Sequence, residues 1–309
     1  MKKLSFLVSL MTDKNAYQKD QAAAAKAAAT RLGVDVRIFF ADSDAVTQSE
    51  QLLRAIQSDA EDERPAGIVV HPVGTALERV AREAAVRGIG WALVNREADY
   101  IAELRDRHNV PAFMLTLDQE EIGRIQGRQF AVLLPRGGTV IYIIGPSMNP
   151  VFKLRQAGML ATKPANIQIV TLRGNLTQDS GYEAVGSWLR LPTSRTTLVD
   201  LVAGQNDDMA MGARQAFEDA MSGEERERWT SLPYTGCDAS SGAGAEWIRR
   251  GSLTASVYLP PTAGLAVETL AQAIQAKTQP SLQRQIAPVS RPSLESLAEA
   301  AEKMVVVTR

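Results

Sequence analysis

The segment TLVDLVAGQNDDMAMGARQAFEDAM, residues 197–221, decides the fold. Residues 197–203, aliphatic apart from Thr197 and Asp200, read as a buried strand. Residues 207–221 read as a helix. Asp207 and Asp208 open it, where carboxylates stabilise the exposed amides and oppose the helix dipole. Between the two lies a polar turn, Gly204-Gln205-Asn206. The unit is strand, polar turn, helix.

The same unit recurs in both directions. Upstream, strands are expected at 4–10, 34–40, 67–70 and 91–94, with helices at 17–32, 46–59 and 75–86. A helix at 122–134, a turn at 135–138, a strand at 139–144, a helix at 152–160, a strand at 167–172 and a helix at 180–191 lead into the decisive segment. Downstream come a charged loop at 224–228, a strand near 234–237, a helix at 243–250, a strand at 253–258 and a helix at 262–276. Such alternation predicts parallel sheets with helices on both faces. A chain of 309 residues exceeds what one hydrophobic core organises, so two doubly wound α/β lobes are expected.

Composition narrows the function classes. With 34 basic and 35 acidic side chains the formal net charge is −1, which leaves no electrostatic footprint for nucleic acid or an anionic membrane. No apolar run approaches the roughly 20 residues of a membrane span. The single cysteine, Cys237, excludes an internal disulfide and a multi-cysteine metal site. The stretch 4–10 follows Met1-Lys2-Lys3 but lacks a small-residue cleavage site, so it reads as a first strand and not a signal sequence. The chain is therefore expected to be cytoplasmic if it is complete, and periplasmic or otherwise extracytoplasmic if a signal peptide was removed.

No catalytic or cofactor motif stands out. There is no phosphate-binding loop, no G-x-G-x-x-G after a strand and no G-x-S-x-G elbow. His71 reads as a cleft-wall or structural residue and His108 as part of a solvated helix end. Asp42 with Asp44, and Asp207 with Asp208, lack the spacing of a calcium loop. No catalytic residue, metal or cofactor is expected.

In open parallel sheets, ligands bind outside the carboxyl ends of the strands. The residues there are 9–18, 71–72, 95–96, 145–155, 174–176, 206–207 and 238. They include Asn95, Arg96, Arg155, Asn206 and Asp238, which offer donors and acceptors of the kind that sugar hydroxyls need. Tyr17, placed in the loop after the first strand, offers a ring face for sugar C–H groups.

With these residues in order, the chain resembles type I periplasmic sugar-binding proteins and the related sugar-binding domain of LacI-type regulators. Ser9, Asn15 and Tyr17 are similar to that family's serine and asparagine–aromatic loop. Asn95-Arg96 is similar to its Asp-Arg pair, and Arg155 to its ligand arginine. The stretch Asn206-Asp207-Asp208-Met209-Ala210-Met211-Gly212 looks like its Asn-Asp-x-Met-Ala-x-Gly signature. Gly236-Cys237-Asp238 resembles its Gly-aromatic-Asp, and Tyr258 falls where a hinge residue touches ligand. Ala16, Gln18, Asn95 and Leu176 depart from the pattern, standing in place of proline, an aromatic, aspartate and an aromatic.

The resemblance implies a three-crossing hinge, with crossings near 116–119, 258–260 and 287–290. The lobes would be 1–117 plus 260–287, and 118–259 plus 288–309. It implies hinge closure on a small polar ligand, a sugar, modified sugar or polyol, read out by an ABC-type permease or a sensor receptor. The other reading is the effector domain of a LacI-type regulator without its DNA-binding part. No function is assigned to the tail, 293–309.

Overall fold

The computed structural model describes residues 3–58, 60, 64–146, 149–239 and 242–307, the last five by backbone alone. Met1, Lys2, the expected helix end at Asp59, the post-strand residues Ser147 and Met148, and the side chains of the C-terminal valine run lie outside the described residues.

The chain divides into two compact units, Met1–Leu117 with Pro261–Ile286, and Asp118–Pro260 with Ala287–Arg309. It therefore passes between them three times, after Leu117, Pro260 and Ile286. The first unit contains β1 (Ser5–Leu10), α1 (Ala16–Leu32), β2 (Asp35–Phe40), α2 (Ala45–Ile56), β3 (Gly67–Val70), α3 (Glu78–Val86), β4 (Gly90–Val94), α4 (Tyr100–His108) and β5 (Ala112–Leu117). The second begins with α5 (Gln119–Leu133), β6 (Gly138–Ile144), α6 (Pro150–Thr162), β7 (Ile167–Arg173), α7 (Gln178–Leu189) and β8 (Leu201–Gly204). It continues through α8 (Asp207–Ala220), α9 (Gly223–Ser231), β9 (Tyr234–Asp238), α10 (Ala243–Arg249) and β10 (Ala255–Tyr258). The chain then adds α11 (Thr262–Ala276) and β11 (Gln283–Ile286) to the first unit, and β12 (Val289–Arg291) and α12 (Leu294–Val307) to the second.

Among the described residues each unit holds one six-stranded sheet, ordered β11-β5-β4-β3-β1-β2 and β12-β10-β9-β8-β6-β7. The pairs are parallel except β12 with β10. In both sheets the winding reverses beside the first strand, between β1 and β3 and between β6 and β8. That switch is where parallel sheets open a crevice at their carboxyl ends.

Period-two alternation sorts the side chains onto two faces. Leu7, Ile68 and Trp91 join Leu52, Ile56, Val80 and Leu104 in one core layer of the first unit. Phe6, Val8 and Phe113 meet Ala25, Val267 and Leu270 in the other. The second unit repeats this, with Ile141, Ile143 and Phe217 in one layer and Val140, Tyr142 and Met159 in the other.

Several expectations are corrected. The strand expected at 197–203 spans Leu201–Gly204, after a 3₁₀ turn at Pro192–Arg195 and an irregular segment at 197–200. The charged loop expected at 224–228 is the helix α9. Glu224 and Glu225 sit in the first turn and Arg228 in the last, where they complement the dipole. One apolar anchor, Trp229, holds it by stacking on Phe217 with centroids 3.9 Å apart. A single anchor produces no periodic stripe for a sequence reading to find. The structure also adds α4, β5, β11 and β12 to the expected elements. Gln283, Arg284 and Gln285 of β11 are exposed, so this edge strand shows no alternation. The tail is α12, packed on α5 with Leu297 buried.

Candidate functional site

In the first unit the candidates converge at the ends of β1, β3 and β4. Asn15 caps α1, its Oδ1 accepting from Gln18 N at 2.9 Å. This places Tyr17 in the first turn of α1, one residue inside a helix that the sequence reading began at residue 17. The ring is 6% exposed and edge-on to His71, 6.4 Å between centroids. Its hydroxyl accepts from Asn95 Nδ2 at 2.8 Å. Asn95 Oδ1 accepts from Thr262 Oγ1 at 3.2 Å, so the amide joins α1 to the start of α11. Asn95 has φ of 60°, a left-handed conformation that asparagine tolerates better than most residues.

Arg96 follows, half-buried, donating from Nη1 to Gly74 O at 2.5 Å. Burial pulls its pKa below the ordinary arginine value. Ser9 is fully buried, its hydroxyl accepting from Gln48 Nε2 at 3.1 Å. That placement makes it a strand-end brace with no surface for solvent or ligand. Tyr17→Phe should leave Asn95 Nδ2 without its buried acceptor and cost about 1–2 kcal/mol of stability. Urea unfolding of the purified variant measures this.

Sequence reading missed the glutamines around these residues. Gln18 donates to His71 Nδ1 at 2.8 Å and accepts from Met11 N at 3.1 Å. Accepting at Nδ1 fixes a neutral His71 as its Nε2–H tautomer. Gln48 also donates to His71 O and accepts from Val73 N. Gln18 adjoins Tyr17 in sequence, which is a usable signal; Gln48, inside α2, offers none.

In the second unit Arg155 lies on α6, 6% exposed. Its Nε donates to Gln119 Oε1 at 2.9 Å and its Nη1 to Gln205 O at 2.7 Å. Both acceptors are neutral, and Nη2 has no partner among the described residues. The guanidinium also lies over Phe152, 5.6 Å from the ring centroid. Gln205 bridges the switch point, accepting from Gly145 N and donating to Phe152 O, both at 2.9 Å.

Asn206 caps α8, accepting from Met209 N at 3.0 Å and donating to Leu176 O at 2.9 Å. Asp238 closes β9 with its Cα paired to Tyr258 of β10. Tyr258 is half-buried, and the guanidinium of Arg291 sits 3.6 Å from its ring centroid.

Asp207 does more than favour the α8 dipole. It is fully buried, with Oδ1 accepting from Ser256 Oγ at 2.6 Å and Oδ2 from Ala239 N at 2.8 Å. Burial, assisted by the nearby Asp208 charge, raises its pKa from 3.8 to about 7, against the lowering effect of these two bonds. The folded chain therefore holds a proton on Asp207 that the unfolded chain releases from pH 3.8 upward. This group's effect on stability becomes less favourable as pH rises from about 4 to about 7, then levels off. Asp207→Asn should flatten that part of the stability profile, as urea midpoints measured from pH 4 to 8 would show.

In each unit the candidates present fixed donors and acceptors at strand ends. Among the described residues no cluster of His, Cys, Asp and Glu could hold a metal ion. Burial raises the Cys237 thiol far above its ordinary pKa, so it is a poor nucleophile. Among the described residues no helix is long and apolar enough to cross a membrane.

Comparison with known proteins places this geometry. A protein of Rhizobium meliloti assigned as rhizopine-binding is 30% identical over 232 residues, covering 73% of this chain and 69% of the relative. The D-xylose-binding periplasmic protein of Escherichia coli (strain K12) is 26% identical over 264 residues, covering 80% of this chain and 69% of the relative. An ABC transporter periplasmic solute-binding protein from Actinobacillus succinogenes 130z, solved with bound D-allose, superimposes with a TM-score of 0.79 at 18% identity. That match covers 96% of this chain and 100% of the other. The family model for the periplasmic binding protein domain matches residues 6–278. With two α/β units of mostly parallel strands and polar side chains gathered at their carboxyl ends, the chain belongs to the periplasmic binding protein family.

Proposed function

We propose that this chain is a solute-binding protein that closes its two units on a small polar ligand, a sugar or polyol, and does no chemistry of its own. The observation that carries the reading is Arg155. It is a buried cation fixed by two neutral acceptors, with Nη2 left for a further acceptor. A hydroxyl-rich ligand supplies that acceptor. Asn206 and Asp238 at neighbouring strand ends supply further polar groups, and the first unit contributes Asn95 and Arg96 at the ends of its own strands. Asn15 and Tyr17 shape that edge, and Tyr258 supplies a ring.

Contacts from both units make the ligand bind the closed form better, so it shifts the population toward closure. Closure is then the signal, read by an ABC-type permease or a sensor receptor. The periplasmic relatives support work outside the cytoplasm.

The test is a thermal-shift screen with D-xylose, D-allose, myo-inositol and a set of amino acids. Any compound that binds only the native state raises Tm. The compounds that raise Tm should also lower the radius of gyration in small-angle scattering. A Tm rise from amino acids alone would replace the sugar reading. Turnover of a bound sugar at catalytic amounts of protein would end the binding-only reading.

A further inference from the structure

Three of the proposed ligand residues meet at one buried carboxylate. Asn206 directly precedes Asp207. Asp238 directly precedes Ala239, whose backbone N–H donates to Asp207 Oδ2 at 2.8 Å. Ser256, two residues before Tyr258 on β10, donates from Oγ to Asp207 Oδ1 at 2.6 Å. The carboxylate thus ties α8 to the ends of both β9 and β10.

The neighbouring backbone is shaped around it. A Cβ on Gly236 would come within 2.1 Å of Oδ1, and one on Gly244 within 2.6 Å of Oδ2. Only glycine leaves room for the carboxylate at these two places. The chain leaving β9 is also held in an unusual form: Asp238 has φ of 123° and Ala239 φ of 39°. Neither residue is glycine, and such conformations persist only where the surroundings fix them. The bond from Ala239 N to Asp207 is one such restraint; the bond from Leu259 N to Asp238 O, at 3.0 Å, is another.

We infer that Asp207 is a positioning residue that sets the mutual register of Asn206, Asp238 and Tyr258, without touching ligand. It has no exposed surface with which to do so. This rests on the reading of Asp238 as a ligand contact. A looser anchor lets Asp238 and Tyr258 drift relative to Asn206, and polar recognition is lost when supporting groups leave the first contacts underdetermined.

The experiment compares wild type, Asp207→Ala and Asp207→Asn by two readouts. One is the dissociation constant for whichever of D-xylose, D-allose and myo-inositol wild type binds. The other is hydrogen exchange at the Ala239 amide with no ligand added. Asparagine keeps an acceptor for Ala239 N and a donor for Ser256 Oγ, so Asp207→Asn should retain slow exchange and bind within about threefold of wild type. Asp207→Ala should exchange faster at Ala239 and bind about tenfold more weakly or worse.

Equal loss of affinity in both variants would mean that the charge matters and the anchor does not, which overturns the inference. So would unchanged Ala239 exchange in Asp207→Ala. Should that variant fail to fold, Ser256→Ala replaces it, removing only the tie to β10. It should speed Ala239 exchange and weaken binding several-fold, and no change in either readout overturns the inference. If wild type binds none of the three probes, the proposed function fails, and the exchange comparison still decides whether Asp207 anchors the loop.

Discussion

Asp238→Ala is expected to weaken sugar or polyol binding by about 2–4 kcal/mol, while the variant still folds. A shift of 1.4 kcal/mol is tenfold in affinity, so the loss is roughly 30-fold to several hundred-fold. The reason lies in where the carboxylate sits. Asp238 is 5% exposed at the end of β9, so a hydroxyl that donates to it does so largely out of water. Removing a buried charged partner leaves the ligand's donor unsatisfied as well. The ties described above run through the backbone N–H of Ala239 and the carbonyl of Asp238, which the substitution keeps. Titration calorimetry of wild type and variant against the same sugar decides it. An unchanged dissociation constant in a folded variant would remove Asp238 from the site.

Gly158→Ala is expected to be the most destabilising of the single changes considered, by about 3 kcal/mol. Inserting a methylene into packed structure usually costs 1–3 kcal/mol and more where backbone is in the way. Here the obstacle is backbone: a Cβ on Gly158 of α6 would sit 1.9 Å from Glu120 O on α5. Gly123 faces the same seam from the other helix, with its Cβ position 1.9 Å from Arg155 O. The two glycines let α5 and α6 come close enough for Arg155 to reach Gln119 at 2.9 Å. Separating the helices should therefore lower affinity as well as stability. Denaturant unfolding measures the first effect, and a binding titration well below the unfolding midpoint measures the second. Gly186→Ala on α7 is the control, since nothing lies within 4 Å of its Cβ position. Alanine there should raise stability slightly.

The sequence by itself determined the layered α/β fold. Strands such as 139–144 are near-continuous apolar runs because both faces are covered, and helices such as 262–276 separate them with a different period. The polar strand ends were equally legible, because turn and cap residues stand out against apolar runs. The family signature around Asn206 was legible for the same reason.

Only the tertiary structure decided what those polar groups do. Asn206 and Asn15 spend their side-chain oxygens on helix caps. Ser9 is sealed beneath Gln48, and Tyr17 is held by Asn95, a residue 78 positions away in sequence. Gln119, Gln18 and Gln48, the buried glutamines in helices behind Arg155 and His71, sit in patterns that say nothing of their partners. Asp207 read as a helix-start carboxylate because its two anchors, Ala239 and Ser256, lie 32 and 49 residues downstream. Periodicity reports which face of an element is buried. It carries no record of which distant donor will meet a given acceptor once that face has packed, and the chemistry of this site lies in those meetings.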